Sequence, residues 1–173
     1  MSAKELAKLL DSANNVLFVT GAGMSTGSGI PDFRGPKGLW HRIRPVYFDE
    51  FMTSHEARLR HWQYKMDGWR EFRDARPNAA HKALYELDRM GRLDGLVTQN
   101  IDGLHHKAGS RKIVELHGSR YKVRCVECHL RIAREEFDIT TIPPRCPSCN
   151  GLIKGDSVMF GEPVPRPWVQ WCL

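Results

Sequence analysis

Two cysteine pairs, Cys125-x-x-Cys128 and Cys146-x-x-Cys149, limit what this chain can fold into more than any other feature. Seventeen residues, His129 to Arg145, lie between them. Two such knuckles bring four thiolates to the corners of a tetrahedron, which suits a closed structural Zn²⁺ site. Buried free cysteines do not account for two pairs at this separation, and a redox CxxC does not account for the second pair. With four thiolates no coordination position stays open, so the ion is expected to staple the fold and not to catalyse. His129 competes as a ligand, but four cysteines already satisfy the metal. The fifth cysteine, Cys172, stands apart. The start, Met1 to Leu10, contains Glu5 and lacks the apolar core and cleavage site of a signal peptide, so a disulfide framework is not expected.

A chain of 173 residues holds one domain, or one domain carrying a small insert. Hydrophobic residues at 41% and charged residues at 27% are the ordinary mixture of a soluble globular protein. No apolar run reaches bilayer length, and the expected location is cytoplasmic. The net charge of +6 would suit a polyanionic cofactor. The basic residues are scattered, however, so nucleic-acid binding is not indicated and a solvated basic surface is the favoured reading.

Ser2 with Glu5 reads as a capping box opening a helix near 3–13. Val16 to Thr20 is a short apolar run, expected as a buried parallel strand. It empties into Gly21–Gly29, where four glycines in nine residues disfavour a strand or helix interior. Residues 55–75 read as helical with Trp62, Met66 and Trp69 as the core stripe. Pro77-Asn78 precedes a helix from Ala79 to Met90, closed by Gly91 at C′. Gly95–Thr98 and Ile113–Leu116 are short strands ending in Gln99-Asn100 and His117-Gly118. Strands alternating with helices, with polar residues at their carboxyl ends, indicate an α/β sheet with its site along those ends. Residues 119–155 change character, with short strands and the cysteine pairs. The division expected is therefore 1–118 for the nucleotide-binding portion, 119–155 for the zinc module and 156–173 for a return to the first portion and a tail.

Strand Val16–Thr20 with its glycine loop is the general dinucleotide-binding arrangement, although the spacing is not a clean G-x-G-x-x-G. A glycine-rich turn without a ligand competes with it. On residue type alone His117 is a structural histidine at a strand end. Asp32 and Arg34 pair across a turn, His105 and His106 are polar loop residues, and Met24 packs.

The strings change that balance. Gly21-Ala-Gly23-x-Ser25, Gly29-Ile-Pro-Asp-Phe-Arg34, Thr98-Gln-Asn-Ile-Asp102, Leu116-His-Gly118, the two CxxC pairs and Phe160-Gly-Glu162 stand in the order seen in sirtuins. From Val16 to about Pro165 the chain resembles that family. The resemblance implies a partial Rossmann-like, doubly wound parallel sheet with a small inserted zinc-ribbon-like module. It implies an NAD-dependent protein-lysine deacylase that transfers the acyl group to ADP-ribose and releases nicotinamide. On that basis Gly21, Ala22, Gly23 and Ser25 would lie against the NAD phosphates. Asp32, Phe33 and Arg34 would belong to a loop over the nicotinamide ribose, and Gln99, Asn100 and Asp102 would line that pocket. His117 would be the general base, with Asn100 orienting a hydroxyl or water. Val158 to Glu162 would pair as a strand with an acyl-lysine peptide.

Sirtuins continue past Phe-Gly-Glu with a helix, a strand and a Gly-Thr-Ser turn, whereas here Pro163–Leu173 follows. The resemblance thus implies a short form with weakened NAD binding and an unpaired sheet edge prone to self-association, Trp168 and Trp171 covering or extending the bare face. Lys154-Gly155-Asp156 also departs from the family, which more often has proline at the position of Gly155. The alternative function is a catalytically silent zinc-stapled module that recognises acyl-lysine peptides or a partner protein.

Overall fold

A computed structural model describes residues 2–36, 38–41 and 43–165. The tail with Trp168, Trp171 and Cys172 lies outside the described residues. The chain begins with α1 (Ala3–Ser12), capped as its first residues dictate: Ser2 N–H donates to Glu5 Oε2 at 2.6 Å and Glu5 N–H to Ser2 Oγ at 3.3 Å. No residue of α1 is buried. Strand β1 (Leu17–Thr20) follows. The glycine loop after it winds into a 3-10 helix, Ala22–Ser28, where glycine content argued against any helix. Short i→i+3 turns tolerate glycine because each fixes only a few residues, and Asn78 Nδ2 braces this one by donating to Met24 O at 2.8 Å.

Four helices come next: α2 (Phe48–Thr53), α3 (His55–Asp67), α4 (Trp69–Asp74) and α5 (Ala79–Arg89). The single helix expected over 55–75 is broken at Gly68. Its buried face also differs from the aromatic stripe. Ala57, His61, Trp62 and Lys65 are buried, whereas Met66 and Trp69 are only half-buried. Trp69 stands edge-on to Tyr121 and takes the Arg134 guanidinium on its face at 4.5 Å. Asn78 caps α5 by accepting from Ala80 and His81 N–H, and Gly91 ends it at φ 68.

Strand β2 (Gly95–Thr98), helix α6 (Leu104–Ala108) and strand β3 (Ile113–Glu115) complete the first sheet. Its order is β1-β2-β3, all parallel, with Thr20 beside Thr98 and Thr98 beside Glu115. Every residue of β2 is buried, as befits the central strand. Leu84, Leu93 and Leu96 form the core on one face, with Phe18, Met24 and Ile113 around them. Among the described residues β1 is an edge strand, and Leu17 and Val19 on its other face are 50% and 63% exposed.

A second, antiparallel sheet follows, ordered β5-β4-β6 from β4 (Lys122–Cys125), β5 (Arg131–Ala133) and β6 (Ile153–Gly155). Its core is Val123, Cys125, Cys146 and Ile153, and Trp62 of α3 joins it, donating from Nε1 to Ile153 O at 3.2 Å. Gly118, at φ 75, lets the chain turn out of β3 against the residues after β6. A Cβ there would stand 2.3 Å from Asp156 O. Gly155, where the family pattern favours proline, donates its N–H to the buried His61 Nε2 at 3.4 Å, a bond proline would forfeit. No helix among the described residues is long and apolar enough to cross a membrane.

Candidate cofactor site and cysteine cluster

The carboxyl ends of β1 and β2 bring the glycine loop, Gln99, Asn100 and Asp102 together. Asn100 is 8% exposed; its Nδ2 donates to Gly21 O at 2.9 Å and to Ser25 Oγ at 3.1 Å. Ser25, buried, donates to Asp102 Oδ2 at 2.6 Å, and Asp102 Oδ1 accepts from Leu104 N–H at 2.9 Å. A buried carboxylate costs several kcal/mol unless it is hydrogen-bonded, so Ser25 and the amino end of α6 stabilise Asp102. The consequence is structural: these three side chains hold the glycine loop in its 3-10 form. Beside that loop the space stays open, since a Cβ at Gly23 would meet nothing within 4 Å.

His117 lies just past β3. Its Nδ1 is 3.1 Å from Gln99 O. A carbonyl only accepts, so Nδ1 carries the proton and Nε2 keeps the lone pair in the neutral ring. Asp32, Phe33 and Arg34 lie in the loop after the 3-10 helix. Asp32 Oδ1 accepts from Gly35 N–H at 2.9 Å and Asp32 O from Leu39 N–H at 2.9 Å, so the carboxylate folds its own loop. Phe33 is 44% exposed.

His105, read from sequence as a loop residue, is a buried member of α6. Its Nε2 lies 3.0 Å from Thr20 Oγ1, which donates to Thr98 Oγ1 at 2.9 Å; Thr98 Oγ1 in turn accepts from Asn100 N–H at 3.1 Å. This chain of bonds joins the two strand ends to the site. Nothing in the sequence distinguished His105 from its neighbour His106, because only the rotation of a short helix turns one ring inward.

Burial, with neighbouring His81 adding to it, lowers His105 to about 4; burial also lowers His81, and holds His61 well below the usual histidine value. A second proton would go to Nδ1 in either ring: that of His105 has no protein acceptor facing it, and that of His81 already accepts from Asn78 N–H. Below pH 6.5 the unfolded chain therefore takes up protons that these folded rings refuse. Their contribution to stability is flat above pH 6.5 and is lost as pH falls from there toward 4. Urea titrations at pH 7.5, 6.0 and 5.0 should show His105→Gln losing less stability on acidification than the unaltered protein. Any metal-linked acid sensitivity is common to both proteins, so parallel pH profiles would refute the assignment.

Cys125, Cys128, Cys146 and Cys149 have sulfurs all within 4.8 Å of one another, with 3.5 Å between Cys125 and Cys149 and 3.6 Å between Cys128 and Cys146. Zn–S bonds of ~2.3 Å in a tetrahedron require S···S separations of about 3.8 Å. Cys128 N–H donates to Cys125 Sγ at 3.4 Å, which would help hold a thiolate. The four residues fit a structural zinc ion.

The segment Val158–Glu162 is not a continuous strand. Val158 N–H is committed to His117 O at 2.8 Å, and Glu162 N–H closes a turn on Met159 O at 3.0 Å. The side chain of Glu162 is turned inward between cations, a role that no spacing in the sequence announced.

The model of the Sir2 family matches residues 21–172. An NAD-dependent protein deacetylase of Bordetella pertussis is 40% identical over 95% of this chain and 71% of its own length. An NAD-dependent protein deacylase of Pyrobaculum aerophilum is 44% identical over 93% of this chain and 64% of its own length. This chain thus spans roughly two thirds of such relatives. A solved Sir2 complex with a p53 peptide and NAD⁺ superimposes with a TM-score of 0.85 at 36% identity, over 99% of this chain and 70% of that one. A Sir2 homologue bound to ADP-ribose gives 0.85 at 38% identity, over 99% and 68%. Agreement of that extent in both sequence and fold leaves one conclusion: the chain belongs to the Sir2 family.

Proposed function

We propose that the chain is an NAD-dependent protein-lysine deacylase of the deacetylase type, acting on acyl-lysine proteins or peptides. The observation that supports this reading is a pair of bonds at the end of β2, Gln99 O accepting from His117 Nδ1 and Asn100 Nδ2 donating to Gly21 O of the glycine loop, which leaves His117 Nε2 with a lone pair. NAD would supply an activated ribose carbon and nicotinamide as leaving group. The loop Gly21, Ala22, Gly23 and Ser25 would hold its phosphates, where the open side of Gly23 admits close approach. Asp32, Phe33 and Arg34 would cover the nicotinamide ribose, and Gln99, Asn100 and Asp102 would line the pocket.

The chain's own residues suit the proton chemistry. His117 Nε2 accepts a proton from a hydroxyl while Nδ1–H stays on Gln99 O, which fixes the ring and supports the charge it gains. Asn100 spends Nδ2 on Gly21 and Ser25, so its Oδ1 remains to orient a hydroxyl or a water. Exposed Phe33 offers an apolar cover against water.

The same reading divides the chain into 1–118 for the nucleotide-binding portion, 119–155 for the zinc module and 156–173 for the return to the first portion and the tail. Four cysteines without a disulfide among the described residues support a cytoplasmic location. Self-association rests on a separate observation, the exposed Leu17 and Val19 on an edge strand.

The deciding experiment incubates the protein with NAD and an acetyl-lysine peptide and follows nicotinamide. Release that needs both substrates is expected. Peptide binding without release would overturn the enzyme reading in favour of an acyl-lysine binding module.

A further inference from the structure

The segment after β6 carries two carboxylates with no role in the chemistry above, Asp156 at 3% exposure and Glu162, whose side chain is 6% exposed. Buried carboxylates are costly unless paired, so their partners show what the segment is built to do. Glu162 Oε1 meets Arg124 Nη2, and Glu162 Oε2 meets Lys154 Nζ at 3.0 Å. Arg124 on β4 and Lys154 on β6 are register partners, and the residue after Arg124 is Cys125. Asp156 takes Arg131 of β5 at 2.9 Å and Arg124 at 3.8 Å. All three strands of the cysteine module thus send a cation to this one segment.

Glu162 also shapes the segment directly. Its Oε2 accepts from Met159 N–H at 2.9 Å while its own N–H donates to Met159 O, so the turn is closed by backbone and side chain together. Lys154, fully buried, adds bonds to Gly155 O and Ser157 O at 3.0 and 2.8 Å. At the rim Phe160 O accepts from Phe48 N–H and the Phe160 ring packs on Tyr47. Upstream, Val158 N–H reaches His117 O. The path from module to candidate base is continuous: Cys125, Arg124, Glu162, Met159, Val158, His117.

We propose that Glu162 is a positioning residue that makes the shape of loop 156–162, and through Val158 the seat of His117, depend on the folded cysteine module. Its functional meaning rests on the deacylase reading, together with the resemblance that implies an acyl-lysine peptide against Val158–Glu162. The glycine loop has separate supports in Asn78, Asn100 and Asp102, so the dependence falls on peptide and not on NAD.

Glu162→Gln keeps the shape and an acceptor for Met159 while removing the charge between Arg124 and Lys154. In the zinc-loaded protein without ligands, amide exchange at 158–162 should accelerate at least tenfold, with β1–β3 and β4–β6 unchanged. Affinity for an acetyl-lysine peptide should fall by ~10- to 100-fold, the scale of one charge-assisted hydrogen bond, with NAD affinity within about twofold. Should Glu162→Gln fail to hold zinc, Arg124→Lys tests the same link, because it keeps a cation but cannot reach both carboxylates. Unchanged loop exchange in whichever variant folds overturns the proposal. So does an equal loss of NAD and peptide affinity, which would mark a general structural role. If the unaltered protein binds no acetyl-lysine peptide, the deacylase reading falls, and the exchange experiment still decides whether Glu162 holds the loop.

Discussion

Purified protein is expected to carry one zinc ion per chain, and replacing Cys125 and Cys149 together by alanine is expected to abolish it and unfold residues 119–155. The module has little else to hold it. Its strands are three or four residues long, and among the described residues its buried apolar core is Val123, Cys125, Cys146 and Ile153, with Trp62 contributed by α3. Sheets and cores that small are marginal without a metal or disulfide. Structural zinc contributes on the order of 10–16 kcal/mol in small zinc folds, far above what such a core supplies. Because Trp62 Nε1 is tied to Ile153 O, loss of the module would also bare Trp62 and shift tryptophan emission to the red. Elemental analysis and emission spectra check this. Absence of stoichiometric zinc, or zinc retained by the double variant, would exclude the tetrathiolate site.

The second large effect is expected at His117. His117→Ala should lower deacylation by ~10²–10⁴-fold, the usual contribution of a general base, while zinc content and the melting transition stay unchanged. The structure supplies the reason for both halves. Among the described residues the ring bonds only through Nδ1 to Gln99 O, on a half-buried residue, so its loss leaves no deep cavity and no buried charge. The backbone link of His117 O to Val158 N–H survives the substitution. Turnover rates, metal analysis and thermal melts are the measurements. Undiminished turnover would return His117 to a structural role and remove the main support for the mechanism.

Local rules made much of this molecule legible. Ser2 and Glu5 capped α1, Asn78 and Gly91 bounded α5, and the apolar runs before Gly21, Gln99 and His117 became the three parallel strands. The caps rest on interactions within a few residues, and β2 on the burial that a continuous apolar run requires, whereas the run expected to be buried as β1 leaves Leu17 and Val19 exposed. The cysteine cluster was legible for the same reason, since two-residue spacing forces each pair of thiols onto one turn.

What escaped the sequence were charges and rotations. Lys65 follows Trp62 along α3 and nothing in the sequence singled it out, yet it is buried, donates to Ser157 Oγ at 2.7 Å, and is held well below the usual lysine value, by burial first and then by Arg120. Glu162 stood in the sequence only as the end of the Phe160-Gly-Glu162 string and Asp156 only in Lys154-Gly155-Asp156, and their side chains are buried against Arg124 and Arg131.

The sequence by itself determined the family, the order of the elements, the four candidate metal ligands and the residues gathered at the strand ends. These follow from short-range spacing, which chain geometry converts directly into structure. Only the tertiary structure decided which face of α3 is inside, which ring nitrogen of His117 is free, and why two acids of loop 156–162 can be buried. Those outcomes depend on partners far away in the chain, Gln99 for His117 and Arg124 for Glu162, and a buried ion or a tautomer is set by such a partner rather than by its neighbours.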